Sequence, residues 1–491
     1  MTEITPALLA VEFGTSEKDV RATLAFLFGP LPEGVARWEL SEEQANYYRA
    51  YAYGMRESSG YYGGPGSSSQ EPDEYGLRRL TIRDWRQFDR VDIDLSAQLT
   101  LITGENGTGK TSLLQVLGQT FEQGTEFVGT PTRDKEGFFF KHGRRRPATS
   151  GEIDKIGTIT FASGASAHVG IRQWQHQDQP SFAPEIVPYR RVAGMYLDAQ
   201  RLIGPYQRVE SIPPRFNSAS EIARMYREQI KNLWIPHMVV KSPSLLIKEA
   251  LIAAALYGEG SAVLARDPRA AEVWNGFQKI LEKLFPESLG FKGLRIDQGE
   301  VILQSASGPF ALEASSGGIA AILSLAWQIY LTSFESSGRF TVCFDEPENH
   351  LHPSLQRSIL PSLLEAFPSV HFVVATHSPF VVTSTRAASV YALRRRKNGK
   401  VYTEKLDLEE QAFTADEILN DVLGVGTTIP IWAERSLESI LDDFQGRPKD
   451  SASMQDLLDS LNAAGLRLTM PSVTDAVAEN LNDSSNRMDE A

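Results

Sequence analysis

Gly104-Glu-Asn-Gly-Thr-Gly109-Lys110-Thr111 fits the pattern G-x-x-x-x-G-K-[ST]. A short apolar run, LTLITG, precedes it, and a helical pattern, KTSLLQVLGQTF, begins at its lysine. Strand, loop and helix in that order are the context this pattern needs in order to hold phosphate. Small residues let backbone amides turn inward around an anion, and the helix start adds positive dipole. Gly104, Asn106, Gly107 and Gly109 would wrap the phosphates, with Ser112 beside them in the first turn. Lys110 would reach the β- and γ-phosphates, and the Thr111 hydroxyl would ligate magnesium. The chemistry expected of such a loop is the binding of ATP with Mg2+.

A second stretch, Thr341–Glu346 (TVCFDE), is an apolar run ending in two carboxylates. Adjacent side chains diverge at a strand end. Asp345 would then face a magnesium-bound water while Glu346 polarises the attacking water. An apolar strand ending in Asp-Glu is common by chance, but here it continues as Pro347-Glu-Asn-His-Leu-His-Pro353. His377, in VATHSP, follows the next apolar run and could touch the γ-phosphate and hold Glu346 in place; a histidine after a strand is otherwise a structural residue. Ala314-Ser-Ser-Gly-Gly318 opens a helix, and there Ser315, Ser316 and Gly317 offer hydroxyl and amide donors to a γ-phosphate. An ordinary N-cap loop is the alternative. For a glutamine that senses the metal and the attacking water, Gln200 in YLDAQR is the candidate, as catalytic group and metal contact, and Gln207 its competitor.

The surrounding pattern shows what positions these groups. LRRLTIRDW and VDIDL alternate as half-exposed antiparallel strands, and IGTITF and AHVGIRQ read as a further hairpin. TVCF and FVVA are continuous apolar runs, as in central parallel strands covered on both faces. Helical patterns fill Ser218 to about Phe285, and alternation of strand and helix resumes with LRIDQGEVILQ. Six regions follow: a helical N-terminal extension over 1–56, a Gly/Ser/Pro-rich linker over 57–75, and the first half of a nucleotide-binding lobe over 76–212. A helical insertion covers 213–290, the second half 291–405, and a helical C-terminal region with a polar tail 406–491. In the N-terminal extension Ser41–Gln44 reads as a capping box, followed by an aromatic stripe from Tyr47 to Met55.

The 491 residues are 42% hydrophobic and 23% charged, as in a soluble globular protein, and no run of 18 apolar residues occurs. A net charge of −13 excludes a surface that is basic throughout, so any DNA or RNA contact would be local. Two basic clusters, Lys141–Arg146 and Arg394–Lys400, read either as solvated loops or hairpin tips or as phosphate-contacting patches. One cysteine, Cys343, excludes an internal disulfide; with no signal peptide evident, a reducing cytoplasm is the expected setting.

GENGTGKTSLL, the SSGG helix, FDEPENHLHP and ATHSPF together resemble the ABC-type ATPases of the RecF and OLD (overcoming lysogenisation defect) kind, over about Leu77 to Ser384 apart from the helical insertion. The resemblance implies an α/β P-loop NTPase fold of ABC type, a mixed sheet with an antiparallel β subdomain. It implies that Gly104–Thr111 bind phosphate and magnesium, that Gln200 is the Q-loop residue, and that Ser315–Gly317 are the signature that acts on an opposite subunit. It also implies that Asp345 and Glu346 are the Walker B pair and His377 the switch. YLDAQRLIGPYQRVESIP followed by helices is further similar to the ATPases of Septu and retron anti-phage systems, which work with a separately encoded HNH-type nuclease. Two departures stand out. Ala314 and Gly318 flank the signature where Leu and Glu or Gln are usual. No Toprim set follows His377, since ILDDF and DLLDSL read as helix surfaces, so no intrinsic nuclease is expected. The expected activity is ATP hydrolysis by a dimerising conformational switch that controls a nuclease partner. A RecF-like repair ATPase and an ATP sensor with little turnover are the alternatives. Half of a membrane transporter fits less well, because ENHLHP stands where transporters carry threonine.

Overall fold

The computed structural model of the chain describes scattered positions between 5 and 40. It also describes residues 76–466, apart from 122–124, 135–136, 144–152, 173–179, 200–205, 233–240, 335–338, 408–413, 425–429 and 446–450. There are two compact units, Met1–Gln70 and Glu71–Ala491. In the first, Leu9, Val20 and Leu24 are fully buried helical residues, and Glu17 pairs with Arg21 one turn on. The capping box at Ser41, the aromatic stripe and the Gly/Ser-rich stretch fall outside the described residues, as does the polar tail.

The second unit opens with β1 (Leu77–Trp85) and β2 (Phe88–Asp94), an antiparallel hairpin whose apolar residues alternate with exposed ones. β3 (Leu99–Gly104) is buried along its whole length and leads through the glycine-rich loop into α1 (Lys110–Gly118). Short pairs follow: β4 (Phe127–Val128), then β5 (Thr130–Asp134) with β6 (Gly137–Lys141). Next come β7 (Ile153–Phe161), β8 (Ser166–Arg172), β9 (Ser181–Phe182), β10 (Glu185–Val187) and β11 (Gly194–Leu197). Among the described residues of the insertion are three α-helices: α2 (Ala219–Asn232), α3 (Pro243–Glu259) and α4 (Pro268–Leu284).

β12 (Gly293–Asp297), β13 (Glu300–Ser305) and β14 (Gly308–Ala311) form an antiparallel sheet of their own. LRIDQGEVILQ thus forms a hairpin outside the main sheet. Gln298 and Gly299, both at positive φ, make the two-residue turn that folds it back on itself. The chain continues through α5 (Gly317–Ser333), β15 (Phe340–Asp345), α6 (Pro353–Ala366), β16 (Val370–Thr376), α7 (Pro379–Val382), β17 (Ala388–Arg395) and β18 (Val401–Leu406). Near the C-terminus, α8 (Ile431–Gln445) and α9 (Ser451–Ala463) share a small core of Leu437, Leu441, Phe444, Leu457 and Leu461.

Eleven strands make one sheet in the order β10-β8-β7-β1-β2-β18-β17-β3-β16-β15-β11. β17, β3, β16, β15 and β11 are mutually parallel. β1, β2, β7, β8 and β10 form an antiparallel wing. β18 joins the two, antiparallel to β17 and parallel to β2. Alternate residues of the parallel strands enter separate cores. Leu101, Val342, Phe344 and Val374 face the core built with α2–α6, and Ile102, Cys343, Val373 and Ala375 face the one containing α1 and the wing. Burial on both faces, at roughly 1.5–3 kcal/mol per large apolar side chain, fixes the register of these strands and so the height at which each delivers its last residue.

Candidate nucleotide site

The three chemistry-bearing stretches meet at the C-terminal ends of β3, β16 and β15, which are neighbours in that order. β3 and β15 are separated by one strand, about 10 Å at ~4.8 Å per step. Ligands of open parallel sheets bind at this end of the strands.

The loop after β3 is shaped by its glycines. Gly104 (φ 142°) passes so close to β17 that an added Cβ would lie 2.7 Å from the Leu393 carbonyl oxygen, and one at Gly109 (φ 100°) would lie 2.5 Å from the Phe88 ring. Only glycine satisfies both the dihedral and the approach. Thr108 Oγ1 donates to the Glu105 carbonyl at 2.8 Å and tightens the turn. Arg395, at the hairpin tip of β17, donates to the Gly107 carbonyl at 3.3 Å. Lys110 is buried, and its Nζ folds back over the loop to the carbonyls of Gly104 (2.9 Å) and Glu105 (3.2 Å). Burial pulls the Lys110 pKa below the ordinary lysine value, against the opposing charges of Glu346, Asp345 and Glu348.

Asp345 ends β15, is 3% exposed, and is hydrogen-bonded by the Thr111 side chain. Burial pushes its carboxyl up to about 6, helped by Glu346 and Glu348 and opposed by Thr111 and Lys110. Glu346 has φ 48°, a left-handed conformation that strains a residue with a Cβ. Its peptide N–H donates to the Ala375 carbonyl at 2.9 Å, so the strained turn is pinned to β16. Its carboxylate is held from two sides: His377 Nδ1 lies 3.2 Å from Oε1, and Asn349 Nδ2 donates to Oε2 at 3.0 Å. Asn349 also donates to the carbonyl of Ala199 at 2.9 Å. Gln200, next in the chain, lies outside the described residues. Its competitor Gln207 is committed elsewhere, its Oε1 accepting from the Ser242 N–H at 2.8 Å.

Glu348 is a member of this constellation that the sequence reading left without a role. It is 5% exposed, and its Oε1 accepts from Thr376 Oγ1 (2.7 Å) and from the His377 N–H (3.1 Å), so it sets the backbone from which the imidazole projects. The available signal was a second acid two residues after Glu346 in a turn too short to carry it to solvent. His352 has a plainer part, capping α6 through Nδ1 with Pro353 in the first turn.

Ser316 is the N-cap of α5, accepting from Ile319 N, and Ser315 Oγ donates to the Leu312 carbonyl at 2.6 Å. Among the described residues no hydrogen bond joins Ser315–Gly318 to the loop of its own chain. The cluster Arg394–Lys400 is the tip of the β17–β18 hairpin. Arg394 pairs with Glu404 and Arg396 with Asp89, while Lys400 donates to the Arg86 carbonyl. Of Lys141–Arg146, positions 144–146 lie outside the described residues. ILDDF and DLLDSL lie on α8 and α9 with Asp442, Asp443, Asp456 and Asp459 exposed.

The donor set fits nucleotide with magnesium. One hydroxyl and one carboxylate meet beside a glycine-shaped loop and a buried ammonium. Magnesium at phosphates takes few protein ligands and completes its shell with phosphate oxygens and water. No group of three or more His, Cys, Asp or Glu suited to a metal occurs among the described residues. No helix among them is long and apolar enough to cross a membrane.

Comparison with known proteins agrees with this geometry. A family model described as an AAA domain matches residues 79–171. A second AAA-domain model, whose description also names an AbiEii toxin of a type IV TA system, matches 329–383. The Septu protein PtuA of Bacillus thuringiensis is 21% identical over 383 residues, 74% of this chain and 88% of that protein. The retron Ec83 probable ATPase of Escherichia coli is 32% identical over 160 residues, 32% of this chain and 25% of that protein. The DNA replication and repair protein RecF of Citrobacter koseri is 36% identical over 90 residues, 16% of this chain and 25% of that protein. The chain therefore spans most of the first relative and only a quarter of the other two. With a P-loop, an acidic strand end and the strand between them on one mixed sheet, the chain is an α/β ATPase of the ABC type, of the class that includes RecF, with Septu and retron ATPases among its homologues.

Proposed function

We propose that this chain is an ATP-hydrolysing conformational switch in an anti-phage defence complex, in which nucleotide-driven pairing with a second copy controls a separate nuclease subunit of the HNH type. The observation that carries the reading is the clamping of Glu346 between His377 and Asn349 within the same cluster as Lys110, Thr111 and Asp345. A general base must be aimed before it is basic, and this carboxylate is aimed from both sides.

Lys110 and the inward amides of Gly104–Thr111, with Asn106, Gly107, Gly109 and Ser112, bind and orient the triphosphate. Thr111 and Asp345, with Gln200 as a further contact, would hold magnesium, which when bound would neutralise charge on the phosphates. Glu346 polarises the attacking water. His377, bonded to Glu346 through Nδ1, keeps its other nitrogen for the γ-phosphate. Ser315, Ser316 and Gly317, unbonded to their own chain's loop, serve the nucleotide of the second copy, so that hydrolysis depends on assembly. Homology to a Septu protein and a retron ATPase supports the defence setting. A repair role of the RecF kind predicts instead ATP-dependent DNA binding by the chain alone.

The test is turnover and mass with ATP and magnesium. Glu346→Gln lowers phosphate release by roughly 10²- to 10⁴-fold and doubles the mass seen by light scattering when ATP is added. Unchanged turnover refutes the role of Glu346. A Glu346→Gln chain that stays monomeric refutes the pairing.

A further inference from the structure

A lysine outside the nucleotide cluster is completely buried. Lys248 sits on α3 with its side chain 0% exposed, and lysine is almost never placed there without ionic partners. Its Nζ lies 2.7 Å from Glu300 Oε2 and 2.7 Å from Glu313 Oε1, and donates to the Gln207 carbonyl at 2.9 Å. It also stands 4.7 Å from the centre of the Tyr206 ring, whose hydroxyl donates to Glu300 Oε1 at 2.9 Å. Gln207 closes the arrangement by accepting from the backbone N–H of Ser242, the N-cap of α3. One ammonium thereby ties together the insertion, the chain leading from β11 into it, the start of β13, and the turn Leu312–Ala314.

That turn ends at Ser315. Glu313 is two residues ahead of this serine, and the Leu312 carbonyl beside it accepts both Ser315 Oγ (2.6 Å) and the Ser315 N–H (3.3 Å). The conformation in which Ser315 and Ser316 are presented therefore depends on the placement of a turn whose buried acid is bound to Lys248. An apolar cluster would fill the space as well, and buried ion pairs seldom add stability over well-packed neutral groups. They do demand one geometry, because a displaced carboxylate would be left unpaired in the interior. Burial disfavours the ammonium, but hydrogen bonds and charge from Glu300 and Glu313 outweigh it, and the Lys248 pKa stands above the ordinary lysine value.

We propose that Lys248 is a positioning residue, holding the Leu312–Ser316 turn in the conformation that offers Ser315 and Ser316 to nucleotide and making that conformation answer to the helical insertion. The consequence for turnover rests on the ATPase reading above; the placement of the turn does not.

The experiment compares the full-length chain with Lys248→Met and with the neutralised triple variant Lys248→Met/Glu300→Gln/Glu313→Gln, in which no buried charge is left unpaired. Hydrogen exchange by mass spectrometry is followed in peptides covering 312–319 and, as a control, 110–117. The triple variant is expected to melt within a few degrees of wild type, yet to exchange at least tenfold faster over 312–319 with 110–117 unchanged. Its Kd for a fluorescent ATP analogue should stay within about threefold, while kcat falls at least tenfold. Unchanged exchange over 312–319, equal acceleration in both regions, or full kcat in a folded triple variant overturns the proposal. Absence of turnover in wild type would instead overturn the ATPase reading, and the exchange comparison would still decide the role of Lys248.

Discussion

Asp345 is held in a site that its charge destabilises, and the size of that effect can be worked from its surroundings. Burial moves its carboxyl from 3.8 to about 6. At 1.36 kcal/mol per pKa unit, the folded chain holds this proton about 3 kcal/mol more tightly than the unfolded chain. The sign follows from proton linkage. Between about pH 4 and 6 the folded state binds a proton that the unfolded state has released, so stability falls as pH rises through that window. Above it the full penalty remains. Asp345→Asn keeps the shape and an acceptor for Thr111 but carries no charge, so it should stabilise the metal-free protein at pH 8 by up to about 3 kcal/mol and by almost nothing at pH 4. Taking the roughly 350 described residues, each contributing about 2.1 cal/mol/K to the unfolding entropy, that gain corresponds to a rise in Tm of about 4 °C. Thermal melts in EDTA at the two pH values measure it. Magnesium with ATP should reverse the order, stabilising wild type more than the variant, because a carboxylate ligates only when ionised. A variant less stable than wild type at pH 8 in EDTA, or a difference independent of pH, would refute the account of Asp345 as a buried carboxylate awaiting a cation.

Two further perturbations probe the same cluster. Lys110→Ala removes a charge-assisted donor worth about 1.5–3 kcal/mol and should weaken ATP binding roughly 10- to 150-fold, read by titration of a fluorescent analogue; unchanged affinity would displace the loop from its role. Glu348→Gln keeps an acceptor for Thr376 and the His377 N–H and should leave kcat within about fivefold. Glu348→Ala orphans two buried donors, at about 1–3 kcal/mol, and should lower kcat at least tenfold with KM little changed. Equal kcat in both variants and wild type would show that Glu348 does not govern His377.

The parts of the molecule that could be read from sequence are those whose determinants are local. LTLITG, TVCFD and HFVVA read as inner strands because both of their faces are covered and no charged residue stands inside their apolar runs. LRRLTIRDW alternates because one face of the wing meets solvent. The loop Gly104–Thr111 was legible because its dihedrals require glycine at fixed spacing. What escaped depends on partners distant in the chain. Lys248 looks like a surface residue of an Ala- and Leu-rich helix until Glu300 and Glu313, more than 50 positions away, arrive beside it. Gln207 competed with Gln200 on residue type alone, and only its bond to Ser242 removes it. Glu348 lies inside the most recognisable motif, yet its role is not legible there, because its two hydrogen-bond donors come from the last residue of the next strand and the one after it.

The position of β3 has a bearing on how the chain is made. Its two neighbours in the sheet, β16 and β17, begin at Val370 and Ala388, about 270 residues later in synthesis. At ~5–20 residues per second, an emerging apolar segment carrying the phosphate loop waits on the order of 15–50 s for its first strand partner. A nascent chain halted anywhere before Val370 would expose LTLITG to whatever else is near, and could not assemble a competent nucleotide pocket. A competent nucleotide pocket is therefore withheld until both sheet neighbours of β3 have left the ribosome.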